Sequence, residues 1–275
     1  MIPLEDNAAD IIGKAQRGLQ ISDSELAEQS GVAIDRIRSA RDGIAIDEAT
    51  IRALSPVLGL HPDSLLRLSE REWTAEQVEP IAGLAQFNTT YGDMTVNAYL
   101  VWDPKSREAA AFDTGADSGE MLKRAAVEEL SFSMILLTHA HPDHIEDLDN
   151  LRAGTGAPVY TPENEPVPGA TIIGEDDEFE LGSLTIEARL TSGHSPGGLT
   201  YVVRGLARPV AIVGDSMFAA SMGGGAISYG DALHNNLEKI LTLPDETIVC
   251  PGHGPLTTVG KEKRENPFFA GKFST

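Results

Sequence analysis

The chain has a single cysteine, Cys250, so no disulfide can form within it, and a reducing compartment such as the cytoplasm is expected. It is poor in bases, with 21 Lys and Arg against 42 Asp and Glu, for a formal charge of −21. So acidic a chain repels phosphate backbones, which argues against nucleic acid as the main substrate. No window approaches the roughly 20 apolar residues of a membrane span, and the opening MIPLEDNAAD lacks a basic stretch followed by an apolar run. No membrane partner is expected. Hydrophobic residues make up 41% of the 275, enough for real cores. That length exceeds the roughly 100–150 residues of a common single domain, which predicts two domains.

Residues 8–70 read as helical. Ser22 followed by Glu25 forms a capping box that opens a helix ended by Gly31, and Ile34, Ile37 and Ala40 continue at helical spacing to Gly43. Asp47 caps Glu48–Leu58, Gly59 ends that helix, and Pro62 starts another. His61, just before Pro62, reads as a turn residue. Short helices with a turn glycine between the second and third make a helix-turn-helix pattern, and ELAEQSGVAIDRIRSARDG resembles the Cro/repressor-type family. Arg36, Arg38 and Arg41 fall on the would-be recognition helix. Residues 1–71 nevertheless carry twelve acids against eight bases, a net of −4, where a DNA reader shows a basic face. DNA is therefore a less favoured partner than docking or a homodimer.

Residues 72–80 read as a polar linker closed by Pro80, and from Ile81 the texture changes. Strand-like runs at Thr95–Trp102, Ala109–Asp113, Met134–Leu137, Leu184–Leu190, Leu199–Val203, Pro209–Val213 and Thr247–Cys250 are separated by Gly, Pro and Asp turns. Helical stretches are expected at Ser118–Glu129, Ile145–Thr155 and Tyr229–Leu241. The domains expected are thus 1–71, all-α, and 81–275, a layered α/β unit.

The most telling stretch is MILLTHAHPDH, Met134–His144. A buried run stops at Thr138, and three imidazoles and a carboxylate follow within six residues. Histidine is the commonest metal ligand near neutral pH, and a mixed nitrogen and oxygen set suits zinc, with iron or manganese as alternatives. Further candidates each follow a strand-like run: His194 in TSGHSPGG, Asp215 in AIVGDSMF and His253 in IVCPGHGP. Five of the seven histidines fall at these loop tips.

In this order, HAHPDH, GHSPGG, GDSMF and PGHGP resemble the metallo-β-lactamase-fold hydrolases, and the tail LPDETIVCPGHGPLTTVGKEKRENPFF resembles the glyoxalase II-like branch. The resemblance covers residues 81–275 and implies an αββα sandwich with a dinuclear metal site at one edge. By position it implies His139, His141 and His194 on a first metal, Asp143, His144 and His253 on a second, and Asp215 bridging. Two divalent cations would lower the pKa of a shared water, and the hydroxide would attack a thioester carbonyl. Asp143 and Asp215, the candidate catalytic carboxylates, read as ligands and not as general bases.

The expected activity is therefore thioester hydrolysis of the hydroxyacylglutathione hydrolase kind. Alternatives are a lactone hydrolase or a DNA-binding regulator sensing a metal or metabolite. The chain departs from glutathione-using members after Asp215, where Met222-Gly223-Gly224-Gly225-Ala226 carries neither the lysine nor the tyrosine of that branch. Tyr229, Lys261, Lys263 and Arg264 are the candidates to compensate. Asn97, Tyr99, Trp102 and Cys250 read as structural, Asp113 as a support for a metal-ligating histidine, and His234 as a surface residue.

Overall fold

A computed structural model describes residues 2–75 and 77–273. It opens with α1 (Ala8–Gly18), α2 (Asp23–Ser30), α3 (Ile34–Arg41), α4 (Glu48–Leu58) and α5 (Pro62–Ser69). Their ends follow capping chemistry. Ser22 and Glu25 form the reciprocal box of α2, Asp47 accepts from Thr50 N, and Gly31 and Gly59 end their helices in the left-handed conformation. His61 is a turn residue, its Nδ1 accepting from Ser64 N at the start of α5. The expected linker contains Trp73, which is buried, and Glu76, which lies outside the described residues.

Strands and helices then alternate: β1 (Leu84–Tyr91), β2 (Met94–Trp102), β3 (Glu108–Phe112), α6 (Gly119–Val127), β4 (Ser131–Leu136), α7 (Pro142–Ile145), α8 (Leu148–Thr155), β5 (Val159–Pro162) and β6 (Thr171–Ile173). The rest of the chain holds β7 (Glu178–Leu181), β8 (Leu184–Leu190), β9 (Leu199–Arg204), β10 (Val210–Gly214), β11 (Met217–Phe218), β12 (Ser221–Met222), α9 (Tyr229–Asn235), β13 (Ile248–Pro251), β14 (Thr257–Thr258) and α10 (Val259–Glu265). The helix expected over Ile145–Thr155 is split, since Pro142 starts α7 early and the backbone restarts at Leu148. That over Tyr229–Leu241 passes into a π-helical turn, Asn236–Ile240. The strand β1 escapes the pattern because neither of its faces is deeply buried, leaving no apolar alternation.

Among the described residues the strands form two six-stranded sheets, ordered β1-β2-β3-β4-β5-β6 and β14-β13-β10-β9-β8-β7, plus a β11-β12 ribbon. Side chains alternate across each strand. Tyr99, Val101, Phe112 and Leu136 of the first sheet meet Tyr201, Val203, Ile212 and Cys250 of the second in the central core. The opposite faces carry helices. Met121 and Ala125 of α6 and Leu148 and Leu151 of α8 cover the first sheet through Ala98, Leu100, Ala111 and Ile135.

The second sheet is covered differently. Its outward residues Val202, Ala211, Val213 and Val249 share one continuous core with Ile11, Ile12, Leu26, Ile37, Leu54 and Leu65 of α1 to α5, together with α9 and Phe268 and Phe269. The N-terminal helices thus help to build a helix layer of the α/β domain.

Candidate metal centre

The strands β4, β10 and β13 all end at one edge, where β10 and β13 run parallel. Each hands its next residues to a loop there, so His139, Asp215 and His253 arrive at the same place although far apart in sequence. His141 immediately precedes α7, whose first turn presents Asp143 and His144. His194 comes from the β8–β9 connection.

The seven candidates converge as two groups, His139, His141, His194 and Asp215, and Asp143, His144 and His253, with the donor atoms of each group within 4.8 Å of one another. In the first, His141 Nδ1 lies 3.0 Å from His139 Nε2 and 3.1 Å from His194 Nε2. In the second, His253 Nε2 is 3.2 Å from Asp143 Oδ2, and His144 Nε2 is 3.6 Å from the same oxygen. Asp215 faces both groups. Its Oδ1 lies 3.3 Å from His144 Nε2, while its Oδ2 lies 3.3 Å from His194 Nε2 and 3.4 Å from His253 Nε2.

The imidazoles are held from behind. Nδ1 of His144 meets Asp113 Oδ2 at 2.8 Å, that of His253 meets Thr95 O at 2.6 Å, and that of His194 meets Gly224 O at 3.1 Å. Nδ1 of His139 meets the Thr138 hydroxyl at 3.0 Å. These four turn Nε2 inward, whereas His141 turns Nδ1 inward. Asp113 occupies the left-handed region at φ 56, and its carboxylate also accepts from Thr138 N and Thr138 Oγ1, each at 2.7 Å. Asn97 and Tyr99 donate to Pro251 O, and Asn97 also to Gly254 O, which fixes the loop carrying His253. Only glycine fits beside the centre at 252, where a Cβ would lie 2.1 Å from Asp215 Oδ1.

Burial opposes charge on His144 and His253, yet the facing Asp215 outweighs it, with Asp113 supporting His144 and Asp143 supporting His253. The two imidazolium forms are held up to about 10 and about 11. Burial opposes ionisation of Asp215 as well, but His144 and His253 keep its carboxyl well below the usual range. His139 and His194 shift the other way, chiefly through burial. The carboxylates therefore demand positive charge that imidazoles alone supply only by holding protons. Two buried atoms, His144 Nε2 and Asp215 Oδ1, face each other without forming a hydrogen bond. Orphaned polar atoms in a nitrogen and oxygen donor set of this kind fit divalent cations.

The remaining candidates sit as follows. Tyr229 lines a cavity together with Gly224, whose carbonyl meets Nδ1 of His194. Lys261 is paired with Glu265 and lies over the Trp73 ring, and Lys263 is paired with Asp245, so these two are committed to other partners. Cys250 is buried in the central core, with its thiol pushed up by burial, and His234 is exposed. Sequence reasoning missed Glu165, which bonds both the Ala140 and the Ser195 loops, and the N-terminal residues Asp6 and Lys14, which bond Ser221 and Met222. No spacing pattern links them to the motifs.

Comparison with known proteins agrees with this geometry. The sequence profile described as the Metallo-beta-lactamase superfamily matches residues 91–253, and the chain belongs to that superfamily. It is 32% identical over 204 residues to the probable metallo-hydrolase YqgX of Bacillus subtilis, covering 66% of this chain and 95% of the relative. It is 27% identical over 201 residues to hydroxyacylglutathione hydrolase GloC of Haemophilus influenzae, covering 64% and 93%. Among solved structures, TTHA1623 in a di-iron-bound form superposes with a TM-score of 0.54 at 30% identity, covering 66% of this chain and all of that one. The chain is thus a metallo-hydrolase of this superfamily, with a histidine and aspartate cluster typical of its dinuclear sites. No helix among the described residues is long and apolar enough to cross a membrane.

Proposed function

We propose that the protein hydrolyses thioesters, with His139, His141 and His194 holding one divalent cation, Asp143, His144 and His253 a second, and Asp215 bridging them. The observation that carries this reading is the position of Asp215, whose Oδ2 lies 3.3 Å from His194 Nε2 and 3.4 Å from His253 Nε2, one histidine of each group. When bound, two such cations supply a water activated near neutral pH and polarise the substrate carbonyl. The donor set favours zinc. The di-iron neighbour makes iron the second metal to test.

The side chains do the rest. Asp143 and Asp215 are the catalytic carboxylates through charge and position: both are ionised, Asp143 despite half-burial because His253 and His144 stabilise it. Neither has a proton to give at neutral pH. The Nδ1 bonds of His139, His144, His194 and His253 fix each ring, so little reorganisation is needed when charge develops on the substrate. A thioester fits because its thiolate leaves without a strong acid. The GloC relative supports the same class.

The N-terminal helices serve packing more readily than DNA. Arg38 and Arg41 are ion-paired with Asp23, and Arg36 with Asp47, and α1 to α5 share the core of the second sheet. The single buried cysteine suits the cytoplasm as the working compartment.

Thiol release from S-lactoylglutathione by metal-loaded protein, with His141→Ala as control, tests the proposal. Release that depends on His141 is expected. Equal release by the variant would refute it, and lactone opening without thiol release would replace thioesters by lactones.

A further inference from the structure

A cavity of about 580 Å³ lies between α1 and the loop Gly224–Gly230. One wall carries Lys14 and Arg17 of α1 and Gln20 just beyond its end, and the loop wall carries Gly224, Ser228 and Tyr229. Among the described residues no carboxylate lines it, although acids outnumber bases 42 to 21 in the chain. Its volume is in the range of sites for small organic ligands. The loop wall is shared with the metal centre. Gly224 lines the cavity while its carbonyl meets Nδ1 of His194, and a Cβ on Gly223 would lie 1.7 Å from Asp215 O. Gly224 therefore stands between the cavity and the Nδ1 side of His194, one of the imidazoles of the centre.

The two cations differ. Lys14 is already committed: its ammonium pairs with Asp6 at 2.5 Å and donates to Met222 O at 3.0 Å, and Asp6 accepts from Ser221 Oγ at 2.6 Å. That network latches the N-terminal segment onto the β12 end of the loop. Arg17 is exposed and, among the described residues, makes no ion pair. The Tyr229 ring packs against Gly18, where a Cβ would lie 2.2 Å from the ring, so the two walls are in direct contact.

The geometry points to this cavity as the site for a carboxylate-bearing tail of the substrate, with Arg17 as its specificity-determining cation. The inference rests on the hydrolase reading for its direction, since that reading puts the reacting carbonyl next door. A guanidinium offers a planar pair of donors that matches a carboxylate, with Gln20 and Ser228 as neutral donors beside it. One free cation balances one monoanion, whereas a phosphate site would gather more positive charge. The α1 wall precedes residues 91–253, the part matched by the superfamily profile, so this chain's own N-terminal helix would supply what the loop Met222–Ala226 lacks.

The test is calorimetric and needs no turnover. Metal-loaded full-length protein is titrated with S-hexylglutathione, with its diethyl ester, and with S-hexyl-coenzyme A as the phosphate arm. The free acid should bind at least about tenfold more tightly than the ester, in line with one charge-assisted pair. Arg17→Ala should erase that preference, Arg17→Lys should restore part of it, and Arg52→Ala, on α4, should leave it intact. Equal binding of acid and ester, binding of neither, a preference that survives Arg17→Ala, or binding of the coenzyme A thioether alone would each overturn the inference. An intact acid preference in a protein that releases no thiol would remove the hydrolase reading and leave the carboxylate site standing.

Discussion

Glu165 and Ser195 are joined by a 2.6 Å hydrogen bond from the serine hydroxyl to Glu165 Oε1, which also accepts from Gly197 N at 2.8 Å. The other oxygen, Oε2, accepts from Ala140 N at 2.8 Å. One carboxylate thereby ties the loop between His139 and His141 to the loop of His194. Glu165 touches no proposed metal and acts by position. Groups that orient metal ligands in this way are commonly worth about 10–100-fold in metal affinity. Glu165→Ala should weaken one of two metal-binding steps by about that factor, and Glu165→Gln should weaken it less. Competition against a chromophoric chelator reads the loss, and unchanged affinity for both metals would show that the tie is ornamental.

Asp113 is satisfied by three buried donors, Thr138 N, Thr138 Oγ1 and His144 Nδ1. Asp113→Ala leaves Thr138 N and His144 Nδ1 unpaired at about 1–3 kcal/mol each, before any relaxation, while the Thr138 hydroxyl keeps only His139 Nδ1. The expected loss is about 3 kcal/mol or more in urea unfolding of metal-free protein. Since His144 also loses its orientation, metal affinity should fall in the same variant. A loss under about 1 kcal/mol would contradict the role given to Asp113.

The helices α1 to α5 and the second sheet share one core, and Ile12 in α1 is wholly buried in it. Ile12→Ala should cost about 2–5 kcal/mol and lower the midpoint for the whole chain. Helical and near-ultraviolet signals should move together in one transition. Separate transitions, with only the helical one shifted, would show that the N-terminal segment folds independently.

Glu262 is fully buried, and burial outweighs its bonds from Thr257, Asn266 and Ala220 N to push its carboxyl up to about 7. The folded state therefore holds this proton more tightly than the unfolded chain, whose value is 4.5. Its contribution is fully present below that value and is lost as pH rises to about 7, on the order of 3 kcal/mol in all. Glu262→Gln should flatten this part of the stability curve between pH 4.5 and 7. An identical pH slope in the variant would count against the assignment.

The centre was legible because its chemistry is local in sequence: HAHPDH packs four donors into six residues, and His194, Asp215 and His253 each follow a strand-like run. The helix caps at Ser22 and Asp47 and the start at Pro62 were legible for the same reason, since helix-opening chemistry acts within one turn, although the capping role of the His61 side chain was not. Glu165 and Arg17 were not legible. Their partners are set by tertiary packing, across intervals such as the 30 residues between Glu165 and Ser195. The burial of the N-terminal helices against Val202, Ala211 and Val249 was hidden too, because an apolar helix face does not say which surface will cover it.

The most direct test of the account is the metal content of the purified protein, read together with thiol release before and after chelation. We predict close to two divalent ions per chain, one for each group of donors, with thiol release lost on chelation and restored by metal, and both lost in Asp215→Ala. Full thiol release from metal-free protein, or two ions still bound with Asp215 replaced and activity unchanged, would contradict the central claim.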